Sequence, residues 1–309
     1  MRKNDFIKIF LVYGLWSMAC GLICGCSPES ELTQQRILMG TNARITIVPD
    51  SDVAQLAMKK AFDLLEKYEG QFSFYDQKSE LTLINNNAAK YPVKLSPGMF
   101  DILRKALEYS KNTKGAFDPT ATSLQAKDGY GTIILDPENK EVYFNNTQTK
   151  VDLGGITVGF CLDLIVEEFK ALDIKNFLID IGGDIYAQGK NKQGKNWGIG
   201  ISDPFDESNI LENIFVSNCA VTTSGNYIKK HIVNTVKAET SPDSHNEILS
   251  VTVIADKCID ADVLATAFFI MGLERTELFL KNKKNIEVLF IMNENNTPKI
   301  VKLNCHQAV

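Results

Sequence analysis

The sequence has little of what several common classes of protein require. It contains two Trp and three His among 309 residues, and its Cys show no CxxC or Cys/His spacing of the kind that holds zinc. Its 33 basic and 38 acidic residues give a net charge of −5, which does not favour a nucleic-acid backbone as partner. There is no internal repeat and no low-complexity tract. The 44% apolar and 23% charged residues are typical of a globular protein and exclude wholesale disorder, collagen and a disulfide miniprotein.

The first segment resembles an export signal. Three basic residues precede an apolar run at 9–23, which is too short and too rich in glycine to indicate a membrane span. The run ends in Ile-Cys-Gly-Cys, which resembles a bacterial lipobox whose final Cys is acylated, and a polar stretch follows at once. We therefore predict a lipoprotein signal peptide at 1–25, lipidation (palmitate) on Cys26, and a linker at 26–35. A plain cleaved signal and a signal anchor are the alternative interpretations.

This prediction sets the location and the charge of the mature protein. It places the chain in the cell envelope, anchored by lipid to a bacterial membrane on its periplasmic or extracytoplasmic face. Removal of 1–25, with three basic residues and one acidic residue, changes the net charge from −5 to −7. Acyl chains, rather than attraction to anionic lipid, would then hold the protein at the membrane.

The periodicity of the remaining chain predicts mixed helices and strands. Apolar residues at helical spacing predict helices at 51–69, 97–112, 160–172, 260–271 and 274–282. Alternating or continuous apolar runs predict strands at 36–48 with a turn at Gly40, 133–135, 142–144, 177–181, 197–201, 213–217, 220–223, 248–254, 286–292 and 298–302. The order lacks a regular βαβ alternation, so we predict an α+β fold in one domain at 36–305 rather than a Rossmann fold.

Two glycine pairs are candidates for close approach to a bulky ligand. Asp152-Leu153-Gly154-Gly155-Ile156 opens a predicted helix, and a helix N-terminus suits an anion such as a pyrophosphate. Gly182-Gly183-Asp184 follows a buried strand. Each pair alone is also compatible with a structural turn, the second with an Asx cap.

Two polar clusters have the chemistry to hold phosphate and a cation. The segment 222–227, Thr-Thr-Ser-Gly-Asn-Tyr, predicts a hydroxyl-rich turn that could hold phosphate oxygens, or a plain ST-turn. Asp262 and Thr266 share one face of a predicted helix, since they are four residues apart. A carboxylate and a hydroxyl so placed can ligate Mg²⁺, although an N-cap with an i, i+4 hydrogen bond explains them as well.

The ordered set of motifs resembles the ApbE-type FAD:protein FMN transferases over nearly all of residues 36–302. The matching segments are MGT (39–41), FSFYDQKSEL (72–81), GAFDPT (115–120), VDLGGI..G (151–159), D.GGD (180–184), TTSG.Y (222–227), LSVTVIA (249–255) and ADVLATAFF..G (261–272). The resemblance implies an ApbE/T-fold-like mixed domain, single-lobed or two-lobed. It also implies Mg²⁺-dependent transfer of FMN from FAD to a Thr or Ser of an exported protein, such as a subunit of a redox pump, with release of AMP.

The resemblance also assigns site residues by position. It implies a cation site formed by the carbonyl of Gly155 with Asp262 and Thr266, and a catalytic base at His231. The residues that it places at the FAD site are Met39, Tyr75, Ala116, Phe117, Asp118, Asp152, Val158 and Val233.

Two departures from the family pattern keep other functions open. The family usually has Lys at the place of Val158, and valine can neither form a salt bridge nor donate a hydrogen bond to FAD. The segment 234–238 also lacks the Asp, Pro and Gly that follow the family's His. The alternatives are a non-enzymatic lipoprotein that binds FAD and an FAD pyrophosphatase that uses water as the acceptor.

Overall fold

The computed structural model describes residues 30–123, 129–225 and 248–305. The helices are α1 (Asp52–Phe72), α2 (Glu80–Asn87), α3 (Pro97–Asn112), α4 (Thr157–Ala171) and α5 (Cys258–Leu280). The strands are β1 (Leu32–Leu38), β2 (Thr41–Val48), β3 (Val93–Lys94), β4 (Ile133–Asp136), β5 (Glu141–Phe144), β6 (Asn176–Ile181), β7 (Asp184–Gln188), β8 (Trp197–Asp203), β9 (Asp206–Val216), β10 (Cys219–Gly225), β11 (Ile248–Ala255), β12 (Glu287–Glu294) and β13 (Thr297–Leu303).

The largest element of the described part is an eight-stranded antiparallel sheet. Its strand order is β1-β2-β6-β7-β10-β11-β12-β13. A three-stranded sheet, β3-β5-β4, and a hairpin, β8-β9, accompany it. This architecture confirms the predicted α+β class. One boundary was wrong, because β1 begins at Leu32 and residues 32–35 belong to the sheet rather than to a linker.

The large sheet is covered on its two faces by different elements. Helices α1, α4 and α5 pack on one face, where Ile45, Phe177 and Val253 point into the main apolar core. On the opposite face, Trp197 of the β8–β9 hairpin covers Val48 and Val221 in a smaller core. Because side chains alternate along a strand, adjacent residues in β2, β6 and β10 point into the two different cores.

The helices begin where the sequence supplies a cap. Ser51 accepts a hydrogen bond from the amide of Ala54 at 3.1 Å, and Ser96 accepts one from Met99 at 3.3 Å. These caps confirm the predicted starts of α1 and α3, and Pro97 occupies the first turn of α3, where its missing N–H leaves no hydrogen bond unmade.

The predicted break after residue 271 is present, and α5 starts earlier than predicted. Gly272 has non-helical dihedral angles, φ 76° and ψ 176°, so it kinks α5 where the sequence predicts that one helix stops and another follows. The helix begins at Cys258 rather than at Asp260. No helix within the described residues has both the length and the apolar character needed to cross a bilayer.

The cysteines of the described part are free thiols. Cys161 and Cys258 are buried, whereas Cys219 and Cys305 are half-buried. These four residues therefore form no disulfide with one another, and the two buried thiols pack as small, mostly apolar side chains.

Candidate functional site

The candidate site lies where the N-terminal ends of α4 and α5 meet. Gly159, in the first turn of α4, touches the first turn of α5 directly. A Cβ atom placed on Gly159 would lie 2.7 Å from the carbonyl oxygen of Cys258, 2.8 Å from Cα of Ile259 and 2.8 Å from Cβ of Asp262. Only glycine allows this separation, so residue 159 determines how closely the two helices approach.

Each of the two helices caps the other. The amide of Gly159 donates to Oδ2 of Asp262 at 3.0 Å, which caps α4 from α5. In return, Oδ1 of Asp163 accepts from the amide of Cys258 at 2.7 Å, and Oδ2 accepts from Ile259 at 3.3 Å, which caps α5 from α4. The residues at the two N-cap positions make no side-chain capping bond of their own.

The predicted cation ligands are brought together at this junction. Asp262 is fully buried, and Thr266 lies one turn further along the same face of α5. A Cβ atom on Gly155 would lie 3.9 Å from Oγ1 of Thr266, so the loop before α4 reaches the same place. The hydroxyl of Ser224 is 3.3 Å from that of Thr266 and adds a further oxygen to the cluster.

The donor chemistry of this cluster fits Mg²⁺ better than a transition metal. Within the described residues, no three His, Cys, Asp or Glu side chains come close enough to hold a metal ion. The cluster instead offers one carboxylate with hydroxyl and backbone oxygens. Hard oxygen donors in small number suit Mg²⁺, which keeps several waters and is usually completed by phosphate oxygens of a substrate.

The loop at 113–123 contacts the junction through an aromatic ring. Cε2 of Phe117 lies 3.4 Å from where a Cβ of Gly155 would be, and Phe117 and Ala116 are both buried. Asp118 orders the loop, since Oδ1 accepts from the amide and hydroxyl of Thr120 and Oδ2 accepts from the amide of Tyr130. This role as a loop anchor was not predicted, and a direct contact of Asp118 with FAD stays a prediction.

Asp152 is held in place from both sides. Its amide donates to the carbonyl of Pro119 at 2.7 Å, and its Oδ1 accepts from the amide of Gly154 at 2.9 Å. The side-chain amide of Asn85 forms a two-way pair with the backbone of Val151, at 2.8 and 2.7 Å. Asn85 was missed at the sequence level, because nothing in its neighbourhood marks a contact with a residue so far along the chain.

Two tight turns lie at the end of the large sheet where Ser224 also lies. Met39 and Gly40 both have positive φ angles, 56° and 71°, in the turn between β1 and β2. A Cβ on Gly182 would lie 2.6 Å from Oγ1 of Thr41, so this turn packs on the β6–β7 turn. There the amide of Gly183 donates to Oδ1 of Asp180 at 3.0 Å, which is the expected Asx cap.

The remaining predicted FAD contacts occupy different surroundings. Tyr75 lies in the loop between α1 and α2 and is 83% exposed. Val158 is half-buried in the first turn of α4 and packs against the main core. His231 and Val233 lie outside the described residues, as does Cys26.

One sequence-based interpretation needs correction at residues 222–225. These residues are part of β10 rather than a turn, because they pair with β11 along their length. Alternation along the strand directs Ser224 towards Thr266 on α5, while Thr223 bonds to Thr252 at 2.9 Å. The hydroxyls are therefore fixed by the sheet.

Burial dominates the electrostatics at the junction. It raises the pKa of the Asp163 carboxyl, and the two amide donors offset only part of this increase. Burial, together with the charge of Asp260 and a 2.6 Å hydrogen bond to its Oδ1, raises the pKa of the Tyr109 phenol. Burial also raises the pKa of the Cys161 thiol, with a further contribution from Asp262.

Comparison with known proteins gives one consistent result. The sequence profile of the ApbE family matches residues 39–290. The FAD:protein FMN transferase of Haemophilus influenzae is 27% identical, with 93% of this chain and 94% of the relative covered. That of Treponema pallidum is also 27% identical, with 92% of each covered.

Solved structures agree at the level of the fold. The flavin transferase ApbE from Vibrio cholerae superposes with a TM-score of 0.78 at 24% identity, covering 89% of this chain and 97% of that chain. The ApbE protein of Thermotoga maritima superposes with a TM-score of 0.76 at 23% identity, covering 88% and 97%. The resemblance drawn from the ordered motifs is thus confirmed.

Proposed function

Because the chain belongs to the ApbE family, we propose that it is an FAD:protein FMN transferase, an enzyme that moves the FMN part of FAD onto a target protein. The observation that carries the proposal is the extent of the family match. It runs over 39–290 and includes both helices of the junction, the Phe117 loop and the two tight turns.

The reaction that suits this donor is a phosphoryl transfer to a hydroxyl group. The oxygen of a Thr or Ser in the acceptor forms a bond to the phosphorus of the FMN phosphate. The bond from that phosphorus to the bridging oxygen breaks, AMP leaves with the bridging oxygen, and the hydroxyl proton passes to a base. His231, predicted as that base, lies outside the described residues.

The cluster at the junction supports Mg²⁺ dependence. Asp262, Thr266 and the carbonyl of Gly155 would hold the ion, since they supply the hard oxygen donors that it prefers. When bound, Mg²⁺ would neutralise negative charge on the pyrophosphate oxygens, which is a principal requirement of phosphoryl transfer. The N-terminal end of α4 adds the positive end of a helix dipole close to the same place.

The rest of the site would hold FAD in position. Phe117 is buried beside Gly155 and the preceding residue, Ala116, is buried too, so they would exclude water from that side of a bound pyrophosphate. Asp152 is fixed by hydrogen bonds on both sides and can orient a polar group of the dinucleotide without rearrangement. Ser224 can donate to a phosphate oxygen from a rigid strand.

A reconstituted assay tests the proposal. Purified residues 27–309 are mixed with FAD, Mg²⁺ and a separately purified exported flavoprotein as the acceptor. Two products are then measured: released AMP, and the flavin fluorescence of the acceptor band in a denaturing gel. AMP with a labelled acceptor supports transfer. AMP without label would mean hydrolysis by water, and bound FAD without AMP would mean storage of flavin.

A pair of Asp variants tests the cation ligand. Asp262→Ala should lower Mg²⁺-dependent turnover by at least ~100-fold, because even groups outside the ligand shell of a metal cost ~10–100-fold. Asp63→Ala is the control, since Asp63 is an exposed carboxylate on α1 that pairs with Lys59. Full activity of Asp262→Ala would show that the cation is bound elsewhere.

The location of the enzyme is part of the proposal. Acylation of Cys26 would anchor it to the extracytoplasmic side of a bacterial membrane, with a second lipid chain needed for stable attachment. The acceptor would then be an exported flavoprotein, such as a subunit of a membrane redox pump. The lipobox-like Ile-Cys-Gly-Cys sequence and the polar residues that follow it support this location.

A further inference from the structure

Two residues of α4 and one of the loop before it meet α5 at the junction. Gly155 precedes the helix, while Gly159 and Asp163 follow at intervals of four residues. Residues four apart lie on the same face of a helix. Consequently one face of α4 presents both the glycine that permits close contact and the carboxylate that caps α5, while Gly155 reaches the same junction from the loop before the helix.

The carboxylate of Asp163 is the main tether of the first turn of α5. It accepts two backbone amides of that turn, at 2.7 Å and 3.3 Å, across 95 and 96 residues of sequence. The N-cap residue Lys257 makes no side-chain capping bond, so it cannot replace Asp163. A second tether comes from α3, where the Tyr109 hydroxyl donates to Oδ1 of Asp260 at 2.6 Å.

The tethered turn leads directly to the proposed cation ligands. Asp262 lies two residues after Asp260, and its Oδ2 already accepts the amide of Gly159. A shift or rotation of the first turn of α5 would change the separation of Asp262 and Thr266 from Gly155. It would also pull Asp262 away from the amide that orients it.

We propose that Asp163 is a positioning residue for the Mg²⁺ site, acting through the cap of α5. The inference rests on the proposed function, because it assumes that Asp262 and Thr266 bind a cation during flavin transfer. It goes further in assigning to α4 the control of the ligand geometry. Asp163 need not touch either the ion or FAD for this role.

The test compares Mg²⁺ dependence with FAD dependence. In Asp163→Ala, the Mg²⁺ concentration at half-maximal rate should rise ~10–100-fold, the range for groups that orient metal ligands. The KM for FAD at saturating Mg²⁺ should change less than ~3-fold, and high Mg²⁺ should restore most of kcat. Calorimetric titration of the FAD-bound protein with MgCl₂ should show the same loss of affinity without turnover.

A conservative variant keeps the test valid if the alanine variant does not fold. In Asp163→Asn the side-chain oxygen can still accept the Cys258 amide, but the NH₂ group faces the Ile259 amide, so half of the cap is lost. We expect a rise of ~3–10-fold in the Mg²⁺ requirement. An unchanged requirement in Asp163→Asn would overturn the inference.

Loss of an N-cap in a helix remote from the site shows whether the effect of Asp163→Ala comes from positioning the ligands or from lower stability. Ser51→Ala removes the N-cap of α1, whose side chain accepts the amide of Ala54 at 3.1 Å. Its melting temperature should fall by ~2–4 °C without any change in Mg²⁺ affinity. If Asp163→Ala and Ser51→Ala required the same Mg²⁺ concentration, the positioning role of Asp163 would be overturned and the proposed function would stand. If the unaltered protein transferred flavin without divalent cations, the proposed cation site would be overturned as well.

Discussion

Gly159→Ala is the most informative single change in this molecule, because one methyl group would separate the two helices of the site. The added Cβ would meet a carbonyl oxygen at 2.7 Å and two carbons of α5 at 2.8 Å. Ordinary contacts begin near 3.4 Å, so the helices must move apart by about 0.7 Å. Two of the three atoms belong to the backbone and cannot rotate away.

Two opposing terms determine the stability of this variant. Alanine favours the helix over glycine by about 1 kcal/mol. Overpacking of a well-packed interior costs about 1–3 kcal/mol. The net free energy of unfolding should therefore decrease by up to about 2 kcal/mol, which corresponds to a fall of roughly 4–8 °C in melting temperature for a chain of this size.

The effect on the site should exceed the effect on stability. The hydrogen bond from residue 159 to Asp262 would lengthen from 3.0 Å, and Asp262 would move relative to Gly155. A displacement approaching 1 Å can cost on the order of 100-fold in rate. We therefore expect transfer of flavin, measured as the rate at which the acceptor band gains flavin fluorescence, to fall by roughly that factor at a temperature where the variant is folded.

The control is a glycine of another helix. Gly70 lies in α1, and a Cβ there would have no atom within 4 Å. Gly70→Ala should raise the melting temperature by a few degrees through helix propensity alone and leave activity unchanged. If Gly159→Ala melted at or above the wild-type temperature with full activity, the close contact of α4 and α5 would not govern the site.

Three further predictions concern other parts of the chain. Val158→Lys should tighten FAD binding by about 3–10-fold, because it adds a charged hydrogen-bond donor at the start of α4. Val158→Met is the uncharged control. Equal FAD affinities of the two variants in equilibrium dialysis would mean that another group holds the pyrophosphate. Burial raises the pKa of the Cys219 and Cys305 thiols to about 11, so their thiolate fraction should rise about tenfold per pH unit between pH 8 and 10. The rate of iodoacetamide labelling, followed by mass spectrometry, should rise in the same way, and a plateau near pH 9 would contradict this. Cys26→Ser should move the protein from the membrane to the soluble fraction in cell fractionation, and retention in the membrane would favour an uncleaved anchor.

The sequence predicted those elements of the fold that carry strong local signals. Helices α1 and α3 were found because serine caps precede long amphipathic periods. Helix α2 was missed, because its eight residues end in three Asn and its period is too short to stand out. Strand β7 was missed as well, since its five residues follow the Gly182-Gly183 turn at once.

The site was predictable where its groups share one element and hidden where they do not. Asp262 and Thr266 lie one helical turn apart, so their common face followed from spacing. The cap of α5 by Asp163 spans 95 residues, and only tertiary packing creates it. The four-residue spacing of Gly159 and Asp163 was nevertheless visible and could have marked this face of α4.

The length of the central strands constrains the shape of the acceptor protein. Thr41, at one end of β2, packs on the β6–β7 turn at the same end of the sheet as Ser224, whereas Val48, at the other end, lies near the bond from the Asp50 amide to the carbonyl of Ser30. Eight extended residues separate these ends by about 23 Å. If Cys26 carries lipid, at most ~14 Å of chain joins it to Ser30, so the tether pulls on the end remote from the reacting groups. The modified Thr or Ser would then have to stand well above the bilayer, on a raised domain of its protein rather than on a loop flush with the lipid surface.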